Sequence, residues 1–386
     1  MLILSGQDNM RQINQHGQQK SFNQTGFSLI ELMVGLVIGL LATLVIMQIY
    51  SVFEGQKRTT SGTSDAQTSG SVALYTMQRD LQLAGFGLPL FDRDNMPLKC
   101  ATTSFDHDGN AATPNISTIP IEITNGALAT DSDTITVRYG TSPNAGIPVL
   151  ASVVTGAVVT VDTNMACASN DVVYLMNLTT GAGDCRMTMV NDTAANLAAN
   201  PQKITLLNAS NINPSKTNLA CLGTWNEFTY TLSANNELTR NGIPVVAGIV
   251  NIQAQYGISA SPNGVNGNQI ARWVNATGAW AAPGITSVTC DTANANRNCI
   301  KAVRISVVAR NGLLEKLPAV SFACSSVTAA NPTGVCAWDA TSAAPLNPSA
   351  APVIDLSNTA NWNQYRYKVY ETIIPLRNMM WTKARL

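Results

Sequence analysis

The apolar residues of the chain form one long uncharged run followed by many short segments. Residues 32–53 read LMVGLVIGLLATLVIMQIYSVF and contain no Asp, Glu, Lys or Arg. At 1.5 Å per residue, this helix would span about 33 Å, enough to cross a bilayer core of about 30 Å. A secretory signal has an apolar stretch of only about 7–15 residues before a small-residue cleavage site, and no such site follows here. The run therefore predicts a membrane-anchoring helix.

A polar stretch and then an amphipathic segment follow this run. Residues 54–71 are rich in Gly, Ser and Thr, which by propensity alone is typical of a linker. Apolar residues then recur at helical spacing: Leu74, Met77, Leu81 and Ala84. Gly85 and Gly87 come next, and glycines at this place are a helix stop signal.

Beyond residue 87 the pattern changes to short β-like runs separated by Asn, Gly and Pro. The predicted strands are 134–139, 153–161, 172–176, 204–207, 228–232, 245–252 and 302–309. The run 228–232, a polar turn and then 238–240 predict a β-hairpin, and Asn241-Gly242 is a second turn signal. Stretches rich in Asn, Gly, Pro and Ala, such as 259–269 and 340–352, predict surface loops.

Composition narrows the possible functions. Of the 386 residues, 45% are hydrophobic and 12% are charged, so the chain can build a core and is not disordered. The 23 basic and 23 acidic residues cancel, which removes the usual electrostatic argument for a nucleic-acid-binding protein. Only two histidines are present, and His16 lies in a polar N-terminal stretch, which leaves His107. Composition therefore disfavours most hydrolases and metalloenzymes, and we expect no catalytic residue, metal or cofactor.

The cysteines indicate an oxidising compartment. All eight lie between Cys100 and Cys336, and none forms a CxxC pair. Eight cysteines allow 105 connectivities, and buried free thiols are the alternative. Short loops favour two pairs, Cys324 with Cys336 and Cys290 with Cys299. The remaining disulfide candidates are Cys100, Cys167, Cys185 and Cys221.

The orientation of the anchor rests on these cysteines. Arg11 and Lys20 precede the apolar run, and Lys57 and Arg58 follow it, so the basic residues are balanced across the membrane. Disulfides require the C-terminal part to lie outside the cytoplasm. We therefore expect a single-pass protein whose C-terminal domain is exported.

An acid lies at the start of the apolar run. Glu31 is the only charged residue in the segment TGFSLIELM, residues 25–33. An acid within a membrane helix costs roughly 2.5–3.5 kcal/mol, so it usually has a partner and a role. The alternative is an acid that stays at the membrane interface.

The six residues 26–31, GFSLIE, resemble the class III signal of type IV prepilins and related pseudopilins. The resemblance implies cleavage by prepilin peptidase between Gly26 and Phe27, N-methylation of Phe27 and retention of Glu31 at mature position five. The amine of one subunit could then neutralise Glu31 of a neighbour. One departure is that Lys20, six residues before Gly26, is the nearest basic residue; Met10 is an alternative start.

Gly35 and Gly39 form a G-x-x-x-G pair in the apolar run. This spacing permits close approach of helices in an apolar environment, and the sequence therefore predicts a self-assembling helix. The alternative is two tolerated glycines in a membrane helix.

Four later segments resemble PilW-type minor pilins in order and spread: 77–87, 248–257, 302–310 and 365–378. The resemblance implies an α+β, type IV pilin-like fold, in which a long N-terminal helix packs on a large antiparallel β-rich domain with disulfides. We expect a leader at 1–26, a long helix within 27–86 with its transmembrane and assembly segment at 27–53, and a β-rich domain at 87–386. The helix would run from about 27 to 84, with a weak or partly unwound middle and a second half packed on the sheet through the face 74–81.

The resemblance implies a minor pilin without catalytic activity. It would reside in the bacterial inner membrane with a periplasmic domain, and then join a pilus at the cell surface. The implied partners are prepilin peptidase, the inner-membrane assembly platform, other minor pilins, the major pilin and a tip adhesin. Such a priming or tip complex supports twitching motility, adhesion or DNA uptake.

Two other functions stay open at this point. A GspJ-like pseudopilin of type II secretion shares the signal, and a membrane-anchored periplasmic receptor or enzyme shares the anchor.

Two further features give weak signals. The segment 106–110, DHDGN, resembles the start of a calcium loop but has its glycine early and no closing Glu, so a polar turn is favoured. Residues 366–386 hold five basic residues and one acid, a pattern that fits either a partner or nucleic-acid patch or, more simply, a final strand with solvated charges.

Overall fold

The computed structural model describes residues 26–89, 100, 102–128, 130–144, 146–177, 185–209, 212–214, 216–262, 267–285, 287–315, 335–338 and 353–380. The chain divides into two compact units, residues 1–56 and 57–386. Residues 1–25 of the expected leader lie outside the described residues. The division expected from sequence, with boundaries after 26 and 86, stays a prediction.

A single helix, α1, runs from Leu29 to Leu81. It continues through residues 54–71, so the expectation of a weak or partly unwound middle is wrong. In the second unit Thr63 and Thr68 of this stretch donate to carbonyls four residues earlier, at 2.8 and 3.1 Å, and Thr59 donates to Oε2 of Glu315 at 3.2 Å. The hydroxyl groups of these three residues therefore have partners without interrupting the helix.

Tertiary packing supplies the second reason for this continuity. Small residues recur at helical spacing along the buried face: Gly62, Ala66, Gly70 and Ala73. A Cβ at Gly62 would lie 2.6 Å from Nδ2 of Asn311, and one at Gly70 would overlap the ring of Tyr370. Tertiary contact therefore overrides the low helix propensity of glycine.

The remaining elements are short. The strands, in chain order, are β1 (Ser104–Phe105), β2 (Ile116–Ser117), β3 (Ile121–Thr124), β4 (Thr134–Gly140), β5 (Val149–Thr155), β6 (Val158–Val161), β7 (Val172–Asn177), β8 (Cys185–Met189), β9 (Lys203–Thr205), β10 (Thr217–Gly223), β11 (Trp225–Leu232), β12 (Glu237–Arg240), β13 (Ile243–Ala247), β14 (Ile249–Ile258), β15 (Arg272–Val274), β16 (Ile300–Arg310), β17 (Val335–Cys336), β18 (Val353–Ile354) and β19 (Tyr367–Pro375). The short helices are α2 (Ala194–Ala199) and α3 (Arg377–Met380). Three 3₁₀ turns lie at Gly278–Trp280, Arg297–Cys299 and Trp362–Gln364.

The strands form three larger sheets. Their orders are β13-β12-β11-β4-β3, β15-β14-β16-β19 and β8-β7-β10-β5-β6-β9, and β1-β2 and β17-β18 are two-stranded. Every pairing among the described strands is antiparallel. The α+β, pilin-like fold with a long helix, an antiparallel β domain and disulfides is thus confirmed.

Most predicted strands are present. The hairpin is confirmed by the pairs Tyr230–Arg240 and Leu232–Leu238. Asn241 and Gly242 have φ of 52° and 77°, as a type I′ turn requires. Two predicted strands are each divided by a glycine at positive φ, Gly156 between β5 and β6 and Gly248 between β13 and β14. Gly156 allows the reversal between β5 and β6, and Gly248 lies where the chain passes from the five-stranded to the four-stranded sheet, which apolar patterning alone does not indicate.

The main core lies between α1 and two of the sheets. Met77 and Leu81 belong to one buried cluster with Ile135 of the five-stranded sheet and Ile305 of the four-stranded sheet. The predicted packing of the face 74–81 is therefore confirmed. A second apolar cluster lies on the six-stranded sheet, and a third includes Val308, Ile354 and Leu356.

Three disulfides lie within the described residues. Cys290 is bonded to Cys299, the pair favoured by its short loop. The other two bonds, Cys100–Cys185 and Cys167–Cys221, are long-range links that the sequence left open. The predicted pair Cys324–Cys336 falls outside the residues whose side chains are described.

Candidate functional site: the N-terminal segment and the end of the long helix

The sequence-predicted site residues Gly26 and Phe27 lie just before α1, in non-helical backbone. Ser28 is the residue before the helix, and its Oγ accepts a hydrogen bond from the N–H of Glu31 at 3.2 Å. In return, Oε2 of Glu31 accepts from the N–H of Ser28 at 3.1 Å. This reciprocal pair is a capping box, which satisfies two N–H groups that a helix start leaves without partners. Its S-x-x-E spacing was present in the sequence and could have been used to predict it.

The apolar run is presented entirely on the surface of the described structure. Every residue from 26 to 53 is exposed, and Phe27 retains 85% of its accessible surface. This part of α1 is long and apolar enough to cross a bilayer, judged by length and composition. A continuous exposed apolar surface of this kind marks a contact with a membrane or with other proteins.

The two glycines of the G-x-x-x-G pair lie one helical turn apart on this exposed surface. A Cβ added to Gly35 or Gly39 would meet no described atom within 4 Å. Space beside both glycines is therefore open to a neighbouring helix. Whether they take part in assembly stays a prediction.

In the second unit, a buried acid near the end of α1 binds the β-hairpin. Asp80 is 1% exposed, and its Oδ2 accepts from the hydroxyl of Tyr230 and from Nε of Arg240, each at 2.7 Å. The guanidinium of Arg240 also lies 3.4 Å from the centre of the Phe228 ring. Burial, and then the hydrogen bond to Asp80, raise the pKa of the Tyr230 hydroxyl, which stays protonated and donates. A negative charge near a helix C-terminus is unfavourable by itself, so Arg240 and Tyr230 must stabilise it.

The C-terminal segment closes the end of the same helix. Nδ2 of Asn378 lies 3.1 Å from the carbonyl oxygen of Ala84 and 3.4 Å from that of Leu83, so it binds the turn that directly follows α1. The fully buried Lys301 donates from Nζ to the carbonyl oxygen of Met379 at 3.1 Å in α3, and burial lowers its pKa to about 8. Sequence reasoning missed both Asp80 and Asn378 as anchor residues.

The two weak sequence signals have structural explanations. Oδ1 of Asp106 and Oδ1 of Asp108 accept N–H groups of the loop at 2.8 and 3.0 Å, as in a polar turn. The backbone N–H of Asn110 lowers the pKa of Asp108. In the described part of the chain, no group of three His, Cys, Asp or Glu residues could hold a metal ion. The predicted final strand is present as β19, preceded by Arg366, which pairs with Glu315 at 2.9 Å.

Two models of known protein families match parts of this chain. Residues 223–378 match the family model of PilW, the type IV pilus-assembly protein W, and residues 21–47 match the prokaryotic N-terminal methylation motif. No curated protein and no solved structure matches the chain. The PilW match covers the hairpin that binds Asp80 and ends at Asn378, and the methylation motif covers the capping box and the exposed glycines. The chain therefore contains a region similar to PilW and an N-terminal methylation motif, and both matches support a prepilin-like protein related to the type IV pilus.

Proposed function

We propose that this protein is a minor pilin of the type IV pilus. Prepilin peptidase would cut between Gly26 and Phe27, Phe27 would then be N-methylated, and residues 27–53 would hold the protein in the inner membrane until assembly. The observation that carries the proposal is the single helix α1, whose first part is wholly exposed and apolar and whose last part is built into the domain that matches PilW.

The helix start supports a role for Glu31 in assembly. In the single chain its carboxylate is held by Ser28, so the acid has a local partner before assembly. In a filament the methylated amine of a neighbouring subunit would supply a positive charge, which makes an acid tolerable in an apolar interior. Gly35 and Gly39 would let neighbouring helices approach closely.

The β domain would define the place of the protein in the assembly. We infer that it acts in a priming or tip complex with other minor pilins, the major pilin and a tip adhesin, and that its domain is periplasmic before export. The family matches suggest a structural protein and not an enzyme. The composition agrees, because the chain has two histidines.

The assembly role of Glu31 is tested by Glu31→Val, with Gln48→Val as the control. Gln48 is an exposed polar residue of the same helix, so both changes replace a polar side chain by the same apolar one. We expect both variants to insert into the inner membrane. Only Glu31→Val should be depleted, by about tenfold, from pili sheared off the cells and analysed by immunoblot. Equal recovery of the two variants would show that Glu31 is only an interface acid.

A further inference from the structure

A polar cleft lies in the β domain, and no residue of α1 lines it. It is formed by residues at the start of β4, the end of β11 and the turn after it, Val250 of β14 and the segment 356–359. Its volume is about 490 Å³, within the range of about 300–1,000 Å³ that small-molecule sites occupy. We name it the hydroxyl cleft, because six of its fourteen lining residues are Ser or Thr.

The charges of the hydroxyl cleft argue against ions as ligands. No Lys, Arg or His is among its described lining residues, so an anion would find no positive partner. The two oxygens of Asp133 accept backbone N–H groups from Gly126 at 2.9 Å and Ala254 at 2.7 Å. Asp131 accepts a backbone N–H at 3.1 Å and a hydroxyl at 3.3 Å. Both carboxylates are thus engaged by the protein, and among the described residues no group of three His, Cys, Asp or Glu side chains could hold a metal ion.

Neutral groups of the cleft do keep free hydrogen-bonding capacity. The side chains of Thr134, Asn236, Asn358 and Thr359 form no hydrogen bond with any described residue, and all four are at least partly exposed. The backbone of Asn236 is fixed, since its carbonyl oxygen accepts from the N–H groups of Gly248 and Ile249 at 2.8 and 3.0 Å. Hydroxyl and carboxamide groups on a rigid frame can both donate to and accept from the hydroxyl groups of a ligand.

Aliphatic side chains complete the lining. Leu232 and Val250 are partly exposed among the polar groups and offer apolar surface, whereas Leu356 lies buried beneath the cleft lining. A sugar ring combines C–H surface with hydroxyl groups that donate and accept, and it carries no charge. We propose that the hydroxyl cleft binds a neutral oligosaccharide. This proposal goes beyond the proposed function and does not rest on the processing of Gly26 and Phe27 or on Glu31, because the cleft residues belong to the β domain and not to the N-terminal segment.

Binding is tested on the full-length protein in a detergent without a sugar head group. Saturation-transfer NMR would be recorded with maltotriose, cellotriose and chitotriose, and with the peptide acetyl-Thr-Asn-amide as a polar control. We expect saturation transfer to at least one of the three sugars and none to the peptide. Absence of transfer to all three sugars, or transfer to the peptide alone, would overturn the proposal.

Three variants then locate the binding site. Thr359→Val keeps the shape and removes a free hydroxyl, and Asn358→Ala changes an exposed residue whose loss should not impair folding. Each should weaken sugar binding about three- to tenfold, as expected for one hydrogen bond. The control is Thr124→Val, an exposed threonine of β3 that does not line the cleft. Equal affinities for the unmodified protein and both cleft variants would overturn the assignment.

Discussion

At the scale of single residues, Asp80 is a buried acid at the end of α1 that requires hydrogen-bond partners. It is 1% exposed, whereas the side chain of its partner Arg240 is 26% exposed. Removing the carboxylate by Asp80→Ala takes away the acceptor of Arg240 and leaves the Tyr230 hydroxyl with only the weaker contact to the carbonyl oxygen of Thr76, at 3.3 Å. We expect a loss of about 2–3 kcal/mol in the free energy of unfolding, below the full value for a buried pair because Arg240 still reaches water. Urea denaturation followed by tryptophan fluorescence measures it.

The matched control is Asp65→Ala. Asp65 lies in the same helix but is exposed, so this change should alter the free energy of unfolding by less than about 0.5 kcal/mol. If both variants lost the same stability, Asp80 would not be an anchor.

Titration of Asp133 makes the stability of the β domain depend on pH, and the raised pKa gives the direction of this dependence. Burial raises its pKa from the ordinary value of 3.8 to about 6, although two backbone N–H groups oppose this. The folded protein therefore binds more protons than the unfolded chain between about pH 4 and 6. The stability that the protonated Asp133 contributes is complete below about pH 4. As the pH rises to about 6 this contribution is lost, and the free energy of unfolding falls by about 3 kcal/mol.

The variant Asp133→Asn removes this titration. We expect the difference in free energy of unfolding between the unmodified protein and Asp133→Asn to shift in favour of the variant as the pH rises from 4 to 7. Urea titrations at each pH measure the difference. Parallel pH profiles would contradict the assignment.

Whether the role of a single residue can be predicted from the sequence depends on how far along the chain its partners lie. Gly26, Phe27 and Glu31 form a local motif, and the capping box spans the four residues 28–31. Asp80 instead meets partners 150 and 160 residues away, and no local pattern indicates such a pair. An isolated Asp within an apolar helical face was its only signal.

At the scale of elements, the stripe of small residues on α1 explains how a linker-like sequence becomes a helix. Gly62, Ala66 and Gly70 carry little apolar surface, so hydrophobic periodicity does not register them. These small residues let α1 approach its neighbours closely, because a larger side chain at Gly70 would meet the ring of Tyr370. The predicted face 74–81 was correct because its side chains are large.

This packing is tested by Gly70→Ala. In an open helix position the change would stabilise by about 1 kcal/mol through propensity. Here the overlap with Tyr370 should reverse the sign and lower the free energy of unfolding by about 1–3 kcal/mol. The double variant Gly70→Ala, Tyr370→Leu should recover part of the loss. Gly70→Ala without any loss of stability would contradict the close packing.

At the scale of the whole molecule, the disulfides tie distant parts of the second unit together. Cys167 and Cys221 close a loop of sequence separation 54, whereas Cys290 and Cys299 are separated by 9. The even cysteine count predicted disulfides, but the long-range pairs depend on the sheet topology, which the sequence does not supply.

The loop lengths predict which of the two disulfides contributes more to the free energy of unfolding. Replacing Cys167 and Cys221 by Ala should lower the free energy of unfolding by about 4 kcal/mol, and replacing Cys290 and Cys299 by about 3 kcal/mol. Urea denaturation of the two double variants measures the ranking. A larger loss for the pair Cys290–Cys299 would contradict the loop-entropy explanation.

The central claim is that this molecule is made as a precursor and matures into a filament subunit. It is tested most directly by mass spectrometry of the N-terminus of the protein purified from the pili of cells that produce it. We predict a chain that begins with N-methylated Phe27 and retains Glu31 at its fifth position. Peptides that span an intact Gly26–Phe27 bond, with no methylated Phe27, would contradict the account.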